Sequence, residues 1–277
     1  MSVASAHSGY DEAVAADFAD FENPPVREAV IGVEFNPLPL NIVELARLCE
    51  RWSERFPVIQ EQPALDPSIA VGAGAGMPVF QFGNGVPPLR LWLIEPSGHF
   101  LVQVQRDRLL LNWRKVTPQS VYPRYDALRQ KFTELLDDFR DFVLSAHADA
   151  TIAVTVTEFT YINGITTQGS ADSVFEIIRE PSTPLPGEPL MLRFQEVRNL
   201  EHPTILAPGQ LSVSSEPVVV GGVSEFQLTV STKFFPTSIT EDASVMEVLD
   251  EARKISRQAF VSFTTEEMHS NWGLANE

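Results

Sequence analysis

Between residues 90 and 114 the chain carries three apolar-rich runs, Arg90–Glu95, His99–Gln105 and Arg108–Arg114, separated only by Pro96-Ser97-Gly98 and Arg106-Asp107. Corners this short leave no room for a crossover, so each strand must turn back and pair antiparallel with the one before it. The alternation inside these runs is two-sided. Val102 and Val104 face one way, Gln103 and Gln105 the other. In the next run Leu109, Leu111 and Trp113 oppose Arg108, Leu110, Asn112 and Arg114. One side is greasy and the other carries Gln, Asn and Arg, the pattern of an antiparallel sheet covered on one face only.

The rest of the chain is read outward from this meander. Val26–Phe35 alternates as a strand between Asn23-Pro24-Pro25 and Asn36-Pro37-Leu38-Pro39. Asn41, with Glu44 three residues on, predicts a capped helix to about Arg55, with Val43, Leu45, Leu48 and Trp52 facing inward. Residues 57–88 are rich in Pro and Gly and are read as an irregular insert. A long helix from Tyr122-Pro123 to about His147 carries Leu128, Phe132, Leu135, Leu136, Phe139, Phe142 and Val143 as an apolar stripe. A strand over Thr151–Asn163, strands over Leu190–Val197, Gly209–Glu216 and Glu225–Phe234, and a helix over about Ala243–Val261 complete the pattern.

Laid side by side, each half has a leading strand, an insert, a three-stranded meander and a helix. The fold class expected is α+β, with two similar half-domains, each a mainly antiparallel sheet with a packed helix. The divisions expected are an acidic tail over 1–20, a first half over 21–148 and a second over 149–277.

At 277 residues and 44% hydrophobic content the chain can bury a large core. Its 37 acids against 20 bases give a net charge of -17, a field that repels polyanions, so nucleic acid and anionic membrane are not expected partners. The charge is uneven. From Arg90 to Lys131 eight bases meet three acids, whereas from Ala148 onward 18 acids meet seven bases. Such asymmetry steers subunits or protein partners together. The first 22 residues hold five acids and no Lys or Arg, the reverse of a secretory signal. With a single cysteine, Cys49, this suits a cytoplasmic location.

The segments Phe21–Phe35, Phe56-Pro57, Glu61–Pro63, Leu101–Arg108, Asn112–Lys115, Tyr122–Tyr125 and Thr157–Asn163 together resemble a sporadically distributed family of uncharacterised bacterial proteins of about this length. The resemblance spans about 21–165 and is weak afterwards, apart from the Trp272-Gly273 ending. It implies no activity and no catalytic residue. The patchy distribution implies a mobile-defence, toxin-immunity or phage-related context.

Motifs for chemistry are sparse. The five histidines, His7, His99, His147, His202 and His269, show no metal-ligand spacing, and no metal or cofactor is expected. Cys49 reads as a buried small hydrophobe. Gly72-Ala-Gly-Ala-Gly76 lacks the Lys-Ser/Thr of a phosphate loop, and no nucleophile elbow is present. No catalytic residue is assigned, and the balance favours binding over catalysis. The polar strand residues Glu28, Gln103, Gln105, Arg108, Asn112, Arg114, Glu158 and Asn163 form a candidate network or partner surface. Trp113, Tyr122 and Tyr125, if exposed beside Arg114 and Arg124, add an aromatic-plus-arginine hot spot.

These features predict a cytoplasmic, non-catalytic protein-binding protein, a homo-oligomer or a subunit of a larger assembly. An immunity, antitoxin or phage-defence accessory is its most concrete form. The alternatives are a small-ligand-binding protein or enzyme with a site between sheet and helix under the 57–88 loop, and a structural or phage-associated assembly component.

Overall fold

Strand β1 (Val26–Phe35) lies at the centre of a nine-stranded sheet, and its two neighbours organise the molecule. The computed structural model describes residues 21–70, 89–166, 177–178 and 193–273; the acidic tail and the Gly72–Gly76 run lie outside the described residues. After β1 come α1 (Ile42–Trp52), β2 (Val58–Pro63), β3 (Leu89–Ile94), β4 (Phe100–Gln105), β5 (Arg108–Arg114) and α2 (Arg124–Ala146). The second half holds β6 (Val154–Thr166), β7 (Phe194–Leu200), β8 (Gly209–Val220), β9 (Val223–Phe234), α3 (Asp242–Phe263) and α4 (Glu266–Asn271).

The strand order is β2-β3-β4-β5-β1-β6-β9-β8-β7, with every pairing antiparallel. Strand β1 meets β5 with Glu28 opposite Arg114 and Glu34 opposite Arg108. On its other edge it meets β6, with Ala29 opposite Tyr161 and Gly32 opposite Glu158. The order therefore runs outward from the β1–β6 seam in the same way on both sides: leading strand, last meander strand, middle, first. The α+β class and the antiparallel meanders are as the sequence indicates. The two halves contribute to one continuous sheet.

The helices form where the sequence caps and stripes them. Asn41 Oδ1 accepts from the backbone N–H groups of Val43 and Glu44, and the Glu44 carboxylate accepts from Asn41 N–H, a closed capping box. Helix α1 buries Leu45, Leu48, Cys49 and Trp52. Val43 departs from expectation and is 57% exposed, because two residues before Leu45 is nearly the opposite side of a 3.6-residue turn. In α2 the whole expected stripe from Leu128 to Val143 is buried. Helix α3 buries Val245, Val248, Leu249, Ala252 and Phe260.

Two local features were not anticipated. Residues 58–63, read as part of an irregular insert, form the edge strand β2 against β3, and Pro63 closes it at an edge position where no ladder N–H is needed. Helix α4, capped by Thr265, brings His269 and Trp272 onto Phe21, whose ring lies 5.8 Å from those of Trp272 and Phe260. This aromatic cluster fastens the chain entering β1 to the last helices.

The core lies on one face. Ala29, Ile31 and Val33 of β1, Val102 and Val104 of β4, and Leu109, Leu111 and Trp113 of β5 pack with the inner stripes of α1, α2 and α3. In the second half Leu211, Val213, Phe226, Leu228 and Val230 pack against Phe260 and Trp272. Among the described residues no helix is long and apolar enough to cross a membrane.

Gly32 marks the closest approach within the sheet. A Cβ there would run into the Leu110 side chain and stand 2.8 Å from the Leu109 carbonyl. Gly32→Ala is therefore expected to destabilise the fold by about 1–3 kcal/mol through forced backbone shifts. A urea midpoint equal to that of the parent protein would contradict this packing.

Candidate functional site

Strand alternation sends Glu28, Val30, Gly32 and Glu34 of β1 to the face opposite the helices. With them go Arg108, Leu110, Asn112 and Arg114 of β5, and Gln103 and Gln105 of β4. Registers with β3, β6 and β9 add Arg90, Trp92, Glu158, Thr160, Ser231 and Lys233. Of the residues expected to form a polar network, Glu28, Gln103, Gln105, Arg108, Asn112, Arg114 and Glu158 thus share one face. They divide into two hydrogen-bonded groups.

The first group runs across β3, β4, β5 and β1. Arg90 Nη1 and Trp92 Nε1 donate to Gln103 Oε1 at 2.8 and 3.1 Å. Gln103 Nε2 then donates to Asn112 Oδ1 at 2.8 Å, and Asn112 Nδ2 donates to the Glu28 carboxylate. Burial raises the Glu28 pKa, against the opposing pull of the Asn112 hydrogen bond and the Arg114 charge. The Arg90 and Arg114 guanidinium carbons lie 5.5 and 5.9 Å from the Trp92 ring centre, one cation-π contact from each. Burial, then the like charge of Arg108, lowers the Arg90 pKa. Among the described residues no carboxylate pairs with Arg90, and the buried Nε atoms of Arg90 and Arg114 have no hydrogen-bond partner.

The second group ties the halves together. Arg108 Nη2 pairs with Glu34 Oε1 at 2.7 Å, both side chains almost wholly buried. The segment after β2 lies across this pair as a strap. Gln105 exchanges hydrogen bonds with the backbone of Leu65, Arg108 donates to the Asp66 carbonyl at 2.8 Å, and Ser68 N–H donates to Glu34 at 3.0 Å. From the second half Lys233 Nζ reaches Ser68 Oγ at 2.8 Å and Glu158 at 2.9 Å, and Thr160 donates to Glu158 at 3.0 Å. Glu28 and Glu158, matched by position in the two leading strands, share the face but bond to different partners.

The other expected residues lie on the helix side. Trp113, Tyr122 and Tyr125 are buried, with Trp113 and Tyr122 rings 5.3 Å apart, so they do not form the exposed hot spot. Odd positions of β5 face the core, and Tyr122 and Tyr125 sit where α2 docks on the sheet. Tyr125 donates to Asp250 at 2.6 Å, and burial with that carboxylate holds its phenol protonated. Asn163 is buried on the helix side of β6 and donates to the Leu228 carbonyl. It shares a cavity with Tyr122 and Tyr125 rather than a face with Glu28.

Sequence reasoning passed over Arg90, Trp92 and Glu34, although the same alternation places them: Trp92 opposes Gln103 and Glu34 opposes Arg108. Lys233 and Ser68 carried no local signal, since Lys233 bonds Ser68 across 165 positions and Ser68 bonds Glu34 across 34. Among the described residues no three His, Cys, Asp or Glu side chains come together as metal ligands. Burial pushes the Cys49 thiol up, away from reactive thiolate. No family model, curated protein or solved structure matches the chain.

Arg108→Met should cost about 3–5 kcal/mol, because it strands the buried Glu34 carboxylate. Adding Glu34→Leu should recover part of that loss, so additive costs in a double-mutant cycle of denaturation energies would refute the pairing. Glu28 makes a separate prediction. Its folded pKa stands above the ordinary 4.5, so the folded state holds its proton longer and stability falls as pH rises from that value through the folded pKa, then levels off. Glu28→Gln is expected to flatten this fall in melting temperature; an unchanged pH profile would show that the carboxyl carries no such cost.

Proposed function

We propose that this chain is a non-catalytic protein-binding protein that engages its partner through the first-half end of the open sheet face, where Arg90 and Arg114 flank Trp92. The observation that supports this most directly is Arg90: a half-buried guanidinium beside another arginine, with no carboxylate partner among the described residues. A partly desolvated cation is stabilised when an incoming carboxylate pairs with it, and Trp and Arg together are the residue types that most often dominate binding energy. Trp92 Nε1 and Arg90 Nη1 are already oriented by Gln103, so little side-chain freedom is lost on association.

In this reading the partner presents acidic side chains to a local positive patch on an otherwise acidic protein. The resemblance to sporadically distributed bacterial proteins supports a cytoplasmic immunity, antitoxin or phage-defence accessory as the concrete form. The small-ligand alternative placed its site between sheet and helix under the 57–88 loop, most of which lies outside the described residues. The strap from Leu65 to Ser68 lies on the face opposite the helices, so a site under it and a site between sheet and helix are different places.

The test is native mass spectrometry of the full chain purified from its own host without denaturation. A stoichiometric protein partner is expected with the parent chain and with Lys254→Glu, and is expected to be lost with Arg90→Glu and with Trp92→Ala. A parent chain that runs as a bare monomer, or a partner retained by both patch variants, refutes the reading.

A further inference from the structure

In the second half, the loop between β7 and β8, the segment after β9 and the first turns of α3 enclose a groove of about 640 Å3 that the protein-binding reading does not use. Its charges are Glu247, Asp250 and Glu251 against Lys254, and Leu206 stands at its edge, 99% exposed. Asp250 is taken by Tyr125 and Arg129, and Glu251 by Lys254 and His202. Glu247 is exposed and has no hydrogen-bond or ion-pair partner among the described residues.

We propose that this groove receives the Arg90–Trp92–Arg114 patch of a second copy of the chain, so that copies join head to tail; the inference rests on that patch being the binding surface. Each surface holds what the other lacks. On the patch, two guanidinium groups share one indole ring, and Arg90 has no carboxylate partner among the described residues. In the groove, Glu247 and Glu251 stand four residues apart on α3, a like-charge pair that an incoming cation relieves. An arginine fork paired with the free Glu247 carboxylate forms a charge-assisted hydrogen bond of the strong kind. Leu206 supplies apolar surface to pack on the half-buried Trp92 ring, which keeps water away from the charge pair.

The division of charge along the chain favours a second copy as the occupant. From Arg90 to Lys131 eight bases meet three acids, and from Ala148 onward 18 acids meet seven bases, so patch and groove lie in stretches of opposite sign on one chain. Two copies of net charge -17 repel as whole bodies. That repulsion is cut off beyond about 8 Å at physiological salt, whereas a partly buried contact pair is screened much less. The patch lies on the open sheet face of the first half and the groove beside α3 in the second, so the contact joins two different surfaces. Each copy therefore gives one surface and receives one, and the assembly ends only where the rotation closes a ring.

Sedimentation velocity of the recombinant full chain, over a concentration series in sodium chloride at about 0.15 M, tests this. The parent chain is expected to self-associate. Trp92→Ala and Glu247→Arg should each weaken that association at least tenfold, and Lys131→Gln should leave it within twofold. Glu247 is exposed, so the melting temperature of Glu247→Arg checks that the fold survives. An equimolar mixture of the two defective chains retains one good patch and one good groove, and is expected to form a 1:1 dimer and nothing larger. A parent that stays monomeric, or a mixture that stays monomeric while the parent associates, overturns the proposal; the patch reading then stands or falls separately on the host partner. Association lost with Glu247→Arg but kept with Trp92→Ala also overturns it, through failure of the patch on which it rests.

Discussion

The pairing of β1 with β6 is the constraint on which the rest of this structure depends. Each of these strands has its own meander on one edge, and each would otherwise present the other edge unpaired to solvent. Joining them satisfies both backbones at once and turns two four-stranded pieces into a single sheet, extended at one end by β2. It also aligns the inner residues of both strands, so Ala29, Ile31, Phe159 and Tyr161 enter one core beneath α2 and α3. The helices then have a common floor.

The two faces of that sheet obey different physics. On the helix side stability comes from removing large apolar groups from water, and Phe132, Phe139, Phe159 and Phe234 are each fully buried there. On the opposite side no helix among the described residues packs on the strands, and order comes from directed polar contacts. Arg108, Glu34, Ser68, Lys233 and Glu158 form a line of hydrogen bonds and ion pairs that crosses the seam. A buried pair of this kind contributes modestly to net stability, but a shifted strand would leave one charge stranded. The register of β1 against β5 and β6 is thus enforced from both faces, by shape on one and by charge pairing on the other.

Much of this was readable from parity. Gln103, Gln105, Arg108, Asn112 and Arg114 alternate with apolar residues across two-residue and three-residue corners, so their common face followed from strand geometry alone. Trp113 illustrates the same rule from the other direction. Its odd position among core residues assigns it to the interior, so the exposure that a hot spot with Tyr122 and Tyr125 requires is not met. Tyr122 and Tyr125 lie outside any strand, so parity could say nothing of them. Their burial was decided by where α2 docks. Glu34 stood in plain alternation with Glu28, yet its importance came from partners in two other segments, Arg108 of β5 and Ser68 of the strap.

Local pattern determined the elements of this protein: the capped α1, the stripe of α2, the meanders and their two-sided strands. It did so because hydrogen-bond geometry and side-chain periodicity act over a few residues and are written directly in the sequence. Which meander sits beside which, where the strap from Leu65 to Ser68 crosses the sheet, and which acids of α3 line a groove with the β7–β8 loop were decided only in three dimensions. Those outcomes depend on contacts between residues about 30 to more than 160 positions apart. Such contacts are selected by the packing of whole faces and carry no local signature.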